Sequence, residues 1–138
     1  MGIVRKQKRA KQDGRRGFLS MELVLTLPFL FTVLLALFEF SFLFFARGEV
    51  CAACRAGARK ATLPGVTQLE IEEEVRKVLA PRLWESLRIG VELGEQSGDV
   101  VAVVVRVDMN SAAPDLLWPI GYTLKGRDLI AQIRMIKE

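Results

Sequence analysis

Residues 23–46 read LVLTLPFLFTVLLALFEFSFLFFA, a run of 24 residues in which Glu39 is the only charge. At about 1.5 Å of rise per residue, a helix of this length reaches ~36 Å, enough to cross a hydrocarbon core of about 30 Å. We read a membrane span over about residues 19–46. All eight phenylalanines lie between Phe18 and Phe45. The remainder of the chain must therefore build its core from aliphatic residues together with Trp84 and Trp118.

Charge is distributed as unevenly as hydrophobicity. Seven cations (Arg5, Lys6, Lys8, Arg9, Lys11, Arg15, Arg16) stand before the span against Asp13, so residues 1–17 carry +6 of a chain total of +4 and the rest carries −2. A short cationic stretch directly before a span is a topology signal. It places the N-terminus in the cytoplasm and the C-terminal part outside, with no role for nucleic acid. A cleaved secretory signal would have an apolar region of only about 7 to 15 residues, and this run is too long for removal after it. Two cysteines and no histidine rule out a four-ligand zinc site and a Cys/His or Ser/His pair within one chain. No metal or other cofactor is expected, and no enzyme.

Past the span, RGEVCAACRAGARKATLPG (residues 47–65) stays rich in alanine, which favours continuation of the helix until proline and glycine stop it. A helix from about Leu19 to Ala61 would be ~60 Å long, with its second half outside the bilayer. Thr67 and Glu70 have the spacing of a capping box, and Ile71, Val75, Val78 and Leu79 follow on one face of a second helix. PRLWESL, from Pro81, can extend that helix by two turns. The period then changes to two. Ile89, Val91 and Leu93 alternate, GEQSGD turns, Val101, Val103, Val105, Val107 and Met109 share one face, and Leu129, Ala131, Ile133 and Met135 share another. The expected fold is α+β: a long N-terminal helix, a second helix and an antiparallel sheet of about three strands. One face of that sheet needs an apolar cover, from the outer part of the long helix or from the helix after Thr67. The chain is parsed as a basic leader at 1–17, a long helix at 18–62 and an external head at 63–138, with residues 110–127 left unplaced.

At the start of the span, RRGFLSME (residues 15–22) puts Glu22 four residues after Phe18. A carboxylate in hydrocarbon costs about 2.5 to 3.5 kcal/mol on insertion scales, so it calls for a partner. Cleavage after Gly17 would create one, since the freed α-amine of Phe18 in one subunit can pair with Glu22 of a neighbour displaced along a shared axis. The acid would then set register between helices. Alternatively, Glu22 reaches the headgroups and favours the helix N-terminus through the macrodipole. Gly17, Phe18 and Glu22 resemble the class III signal of type IV prepilins, in which a prepilin peptidase cuts after glycine and the acid is the fifth mature residue.

The stretch ELVLTLPFLFTVLLALFEFSFLFFARGEVCAACRAGARKA, residues 22–61, further resembles the N-terminal segment of TadE-like minor pseudopilins of tight-adherence (Flp) pilus systems. The shared features are the acid (Glu22), the Leu27-Pro28 step, Glu39-Phe40, and ACRAGARKA from Ala53 to Ala61. Leu23 stands where Flp-type pilins often have an aromatic residue and Cys54 where alanine is common, and the chain is longer than the usual major Flp subunit. The resemblance implies a pilin-like subunit processed after Gly17 and held in the bacterial inner membrane. Its implied partners are a prepilin peptidase, other pilin or pseudopilin subunits, the inner-membrane assembly platform and the lipid bilayer. The rival reading is an unprocessed signal-anchored protein whose external head binds a protein partner.

Four further features bear on packing. Pro28 removes a backbone donor inside the span and can kink it. Glu39 lies ~32 Å along a straight helix from Phe18, near the outer interface, where it could snorkel or pair with a neighbour's Arg47. Cys51 and Cys54 form CAAC within a helix rather than at a helix start after a strand, which disfavours a redox site. They serve as small helix-packing residues or as a disulfide, within the chain or between subunits. Arg55 and Arg59 share a face that is read as solvated.

Overall fold

The computed structural model describes the backbone from Gln7 to Glu138 and side chains from Gly17 onward. Arg5 and Lys6 of the basic leader lie outside the described residues, as do the side chains of Lys8, Arg9, Lys11, Arg15 and Arg16. Helix α1 spans Gln7–Ala61 and α2 spans Gln68–Val78; strands β1 (Arg88–Glu92) and β2 (Val100–Asp108), a four-residue helix α3 (Met109–Ala112) and strand β3 (Asp128–Ile136) follow. The strands form one antiparallel sheet in the order β1-β2-β3. This is the expected α+β arrangement, a long apolar N-terminal helix, a second helix and three antiparallel strands.

The chain divides into two compact units between Leu37 and Phe38, inside α1. In the first unit every described residue from Gly17 to Phe31 is exposed, and the faces of the helix are apolar all round. Pro28 sits within this helix. Thr32 donates its hydroxyl to the Pro28 carbonyl at 2.9 Å, one turn back on the same helix.

In the second unit, α1 buries one stripe. Glu39, Leu43, Ala46, Val50, Ala53, Cys54, Ala58 and Ala61 are buried at spacings of three and four, the repeat of a single helix face. Most are small, which lets the helix axis approach the sheet closely. A β-carbon added to Gly57 would come within 2.6 Å of Val75 Cγ2 and 3.5 Å of Val103 Cγ1, so α1, α2 and β2 converge on a residue with no side chain. The sheet presents Val101, Val103, Val105 and Val107, all at 0% exposure, to this stripe, and Ile71, Val75, Leu79 and Leu83 complete the core. Both candidate covers are used.

The structure corrects several local expectations. Thr67 takes the N-cap position with extended backbone but makes no side-chain cap bond, so the capping box does not form. The Ile71 N–H bonds the Thr67 carbonyl instead. Val78 leaves the buried face of α2 and is exposed. After Pro81 only a 3₁₀ turn forms, Pro81–Leu83. Extended backbone at Leu79 and Ala80 separates it from α2, as expected for a residue preceding proline. The Trp84 indole N–H then bonds the Leu79 carbonyl at 3.1 Å. Leu93 falls beyond β1 and is exposed, while Met109 begins α3 rather than ending β2. Trp84 and Trp118 are 47% and 68% exposed. The core is built from aliphatic residues, alanine and one cysteine, because an α-helix resting this close to a sheet leaves no room for an indole.

Candidate functional site on the long helix

Gly17 and Phe18 lie within α1, and Phe18 is exposed. Glu22, one turn on, is exposed as well; Thr26 donates its hydroxyl to the Glu22 carbonyl at 2.8 Å. The Glu22 carboxylate has no partner among the described residues. Nothing within the described part of the chain offsets that charge.

Glu39 has the opposite environment. It is 0% exposed, and its Oε2 accepts hydrogen bonds from the backbone N–H groups of Leu116 (2.7 Å) and Leu117 (2.9 Å). Oε1 is buried without a hydrogen-bond partner. Interfacial snorkelling and pairing with Arg47 are thus both replaced by an intrachain bond, and Arg47 is itself exposed. The physical reason is phase. Glu39 stands four residues before Leu43 and seven before Ala46, on the stripe that faces the head. A single side-chain oxygen thus receives two backbone N–H donors in a buried setting, where hydrogen bonds are electrostatically stronger than in water.

The neighbouring residue holds the same segment. Phe40 meets Tyr122 with ring centroids 6.0 Å apart, and the Arg127 guanidinium lies 4.9 Å from the centre of the Tyr122 ring. Asp115 and Thr123 close the loop between them by a 2.8 Å hydrogen bond. The connection between β2 and β3, unplaced from sequence, is thereby pinned to α1 at Glu39-Phe40. Its tip is the 3₁₀ turn Trp118–Ile120, ended by Gly121 at φ +90°, a conformation that suits glycine. The phase of Glu39 relative to Leu43, Ala46 and Val50 was the available signal for the buried acid; Leu116, Leu117 and Tyr122 carried none, because their partners on α1 lie more than 70 residues away in sequence.

Cys51 and Cys54 are both free. Cys54 is fully buried, its Sγ 3.2 Å from the Val103 carbonyl and 3.5 Å from that of Ala131, so the thiol is directed at the sheet. Burial pushes the Cys54 thiol above the ordinary thiol range, outside the span read at about 19–46. Cys51 is half-buried on the edge of the same stripe. These are helix-packing positions. Arg55 and Arg59 are exposed, as expected of a solvated face. Clefts on the head include one of about 600 Å³ beside Asp115, Trp118 and Lys125 and another of about 260 Å³ mixing Arg88 and Arg106 with Asp108 and Asp128. Asp108 is committed to capping α3 through the Asn110 N–H.

Among the described residues, one helix is long and apolar enough to cross a membrane, and its distal part is the spine of a small α+β head. A helix of this kind suggests a single-pass membrane anchor. Residues 17–59 match the family model of the TadE-like proteins. The match begins at the Gly17-Phe18 junction, takes in Glu22, Pro28, Glu39 and both cysteines, and is consistent with a TadE-like protein of the tight-adherence pilus system. No curated protein and no solved structure matches the chain.

Proposed function

We propose that the chain is a minor pseudopilin that works in pilus assembly. A prepilin peptidase cuts after Gly17, the helix from Phe18 anchors the mature subunit in the bacterial inner membrane with its head on the external face, and that helix packs with other pilin or pseudopilin subunits on the assembly platform. The observation that carries this reading is the TadE-like match, which starts at the proposed cleavage junction on a helix apolar on every face. The unpartnered Glu22 carboxylate supports it. An acid in an apolar medium needs a counter-charge, and the Phe18 amine of a neighbouring subunit supplies one once the leader is removed. The proposal involves no catalytic step and no cofactor.

Mass spectrometry of the chain purified from membranes of its own cells tests processing directly. A mature protein beginning at Phe18 is expected, and Gly17→Leu should leave the leader in place. An intact leader in the wild-type chain would overturn the proposal in favour of an unprocessed, signal-anchored protein. Co-purification of the mature chain with sheared pili would distinguish a filament subunit from one retained in the membrane.

A further inference from the structure

We propose that the tip of the β2–β3 connection, Trp118-Pro119-Ile120, is a second membrane contact, set into the outer lipid interface by Glu39. The inference rests on the membrane-anchoring reading above and adds a lipid-binding element in the head.

The argument begins from where the loop is tied. Leu116 and Leu117 bond the Glu39 carboxylate, and Tyr122 packs on Phe40. The apolar run continues past that point to Ala46, seven residues or ~10 Å further along the helix. A loop held at positions 39 and 40 is therefore level with helix residues that are themselves lipid-compatible. Phe38, Phe40, Phe42, Phe44 and Phe45 are all exposed there. Trp118 and Ile120, at 68% and 62% exposure, stand out apolar on the loop tied at that level. The tie to residues 39 and 40, inside the apolar run, identifies lipid as the occupant.

Irregular backbone at that depth is tolerated only if its polar groups are satisfied internally. Four of the loop's N–H donors meet this condition. The N–H groups of Leu116 and Leu117 go to Glu39. Those of Ile120 and Gly121 go to the carbonyls of Leu117 and Trp118, and Pro119 has no N–H. Conversely, the loop shields the acid, since Glu39 is fully buried. Glu39 Oε2 and the two backbone N–H groups thus satisfy one another in an apolar layer. Tryptophan suits the position because its ring is apolar and its indole N–H can reach a headgroup.

The test uses the full chain reconstituted in phosphatidylcholine–phosphatidylglycerol vesicles containing lipids brominated high on the acyl chain, which quench nearby tryptophan fluorescence. The wild type carries Trp84 and Trp118; Trp84→Phe leaves Trp118 alone and Trp118→Phe leaves Trp84 alone. Quenching of Trp118 is expected to be several-fold stronger than that of Trp84, and to fall towards the Trp84 level in Trp84→Phe/Glu39→Ala. If Trp84→Phe does not fold, as judged by circular dichroism, the difference between wild type and Trp118→Phe carries the same comparison. A chain that fails to float with the vesicles overturns both readings. A chain that floats with Trp118 and Trp84 quenched equally overturns this one alone, and strong cross-linking between copies through Ile120→Cys would then assign the surface to a second copy. A contrast that survives Glu39→Ala overturns the role given to Glu39.

Discussion

Two glutamates on one helix live in opposite surroundings. Glu22 is exposed on a stretch that is apolar all round, and its carboxylate has no partner among the described residues; Glu39 is fully buried and accepts two backbone N–H groups. The same contrast runs through the residues around them. From Phe18 to Leu30 the helix buries nothing against its own chain, whereas from Glu39 to Ala61 it buries every third or fourth residue beneath a sheet. One helix can thus be exposed along one stretch and packed along another, because its propensity is set locally while its partners are set by what each face meets.

The sharpest way to break this comparison is to make one substitution in both halves. Leu43→Ala, at a buried position, should lower the stability of the head by about 2–5 kcal/mol, read by denaturant unfolding in mild detergent with circular dichroism. Leu30→Ala, at an exposed position, should change it by no more than about 0.5 kcal/mol. Equal effects would mean that the two halves are not energetically distinct.

Two helix glycines give a contrast of opposite sign. Gly57 stands where an added β-carbon would collide with Val75, whereas Gly48 has open space around it. Gly57→Val should destabilise by about 1–3 kcal/mol through overpacking, since the stiff Val75 side chain cannot turn aside. Gly48→Ala should stabilise the helix by up to about 1 kcal/mol. A neutral Gly57→Val would move the convergence of α1, α2 and β2 away from that residue.

The smallest effect separates the two cysteines. Maleimide should modify Cys51 faster than Cys54 in the native chain, with the difference vanishing on unfolding. Burial raises the Cys54 thiol, so the unfolded chain ionises first as pH rises. Its contribution to stability is complete below the ordinary thiol range and declines above it, and Cys54→Ala should remove that part of the alkaline decline. Equal labelling rates would place Cys54 outside the core.

Much of the fold was legible in the chain. The span, the stop after Ala61, the amphipathic second helix and three alternating strands follow from periodicity and composition, which report a residue's medium. Gly17, Phe18 and Glu22 stand out as a motif beside a charge boundary, and the TadE-like match begins at Gly17. Distance along the helix gives the depth of Glu39 but not its partner, which its phase with Leu43 and Ala46 decides. Trp84 and Trp118 were placed in the core by hydrophobicity alone, although small residues on α1 leave the sheet too close for them.

By itself, then, the sequence determined where this protein is apolar on all sides, where it is apolar on one side, and which period each segment follows. Only the tertiary structure decided that the buried acid holds the Leu116–Leu117 backbone, that Phe40 meets Tyr122, and that Cys54 is directed at Val103 and Ala131. The physical reason is range. Periodicity records the average environment of a side chain, while a hydrogen bond across more than 70 residues depends on chain closure and on a single geometry that no local pattern encodes.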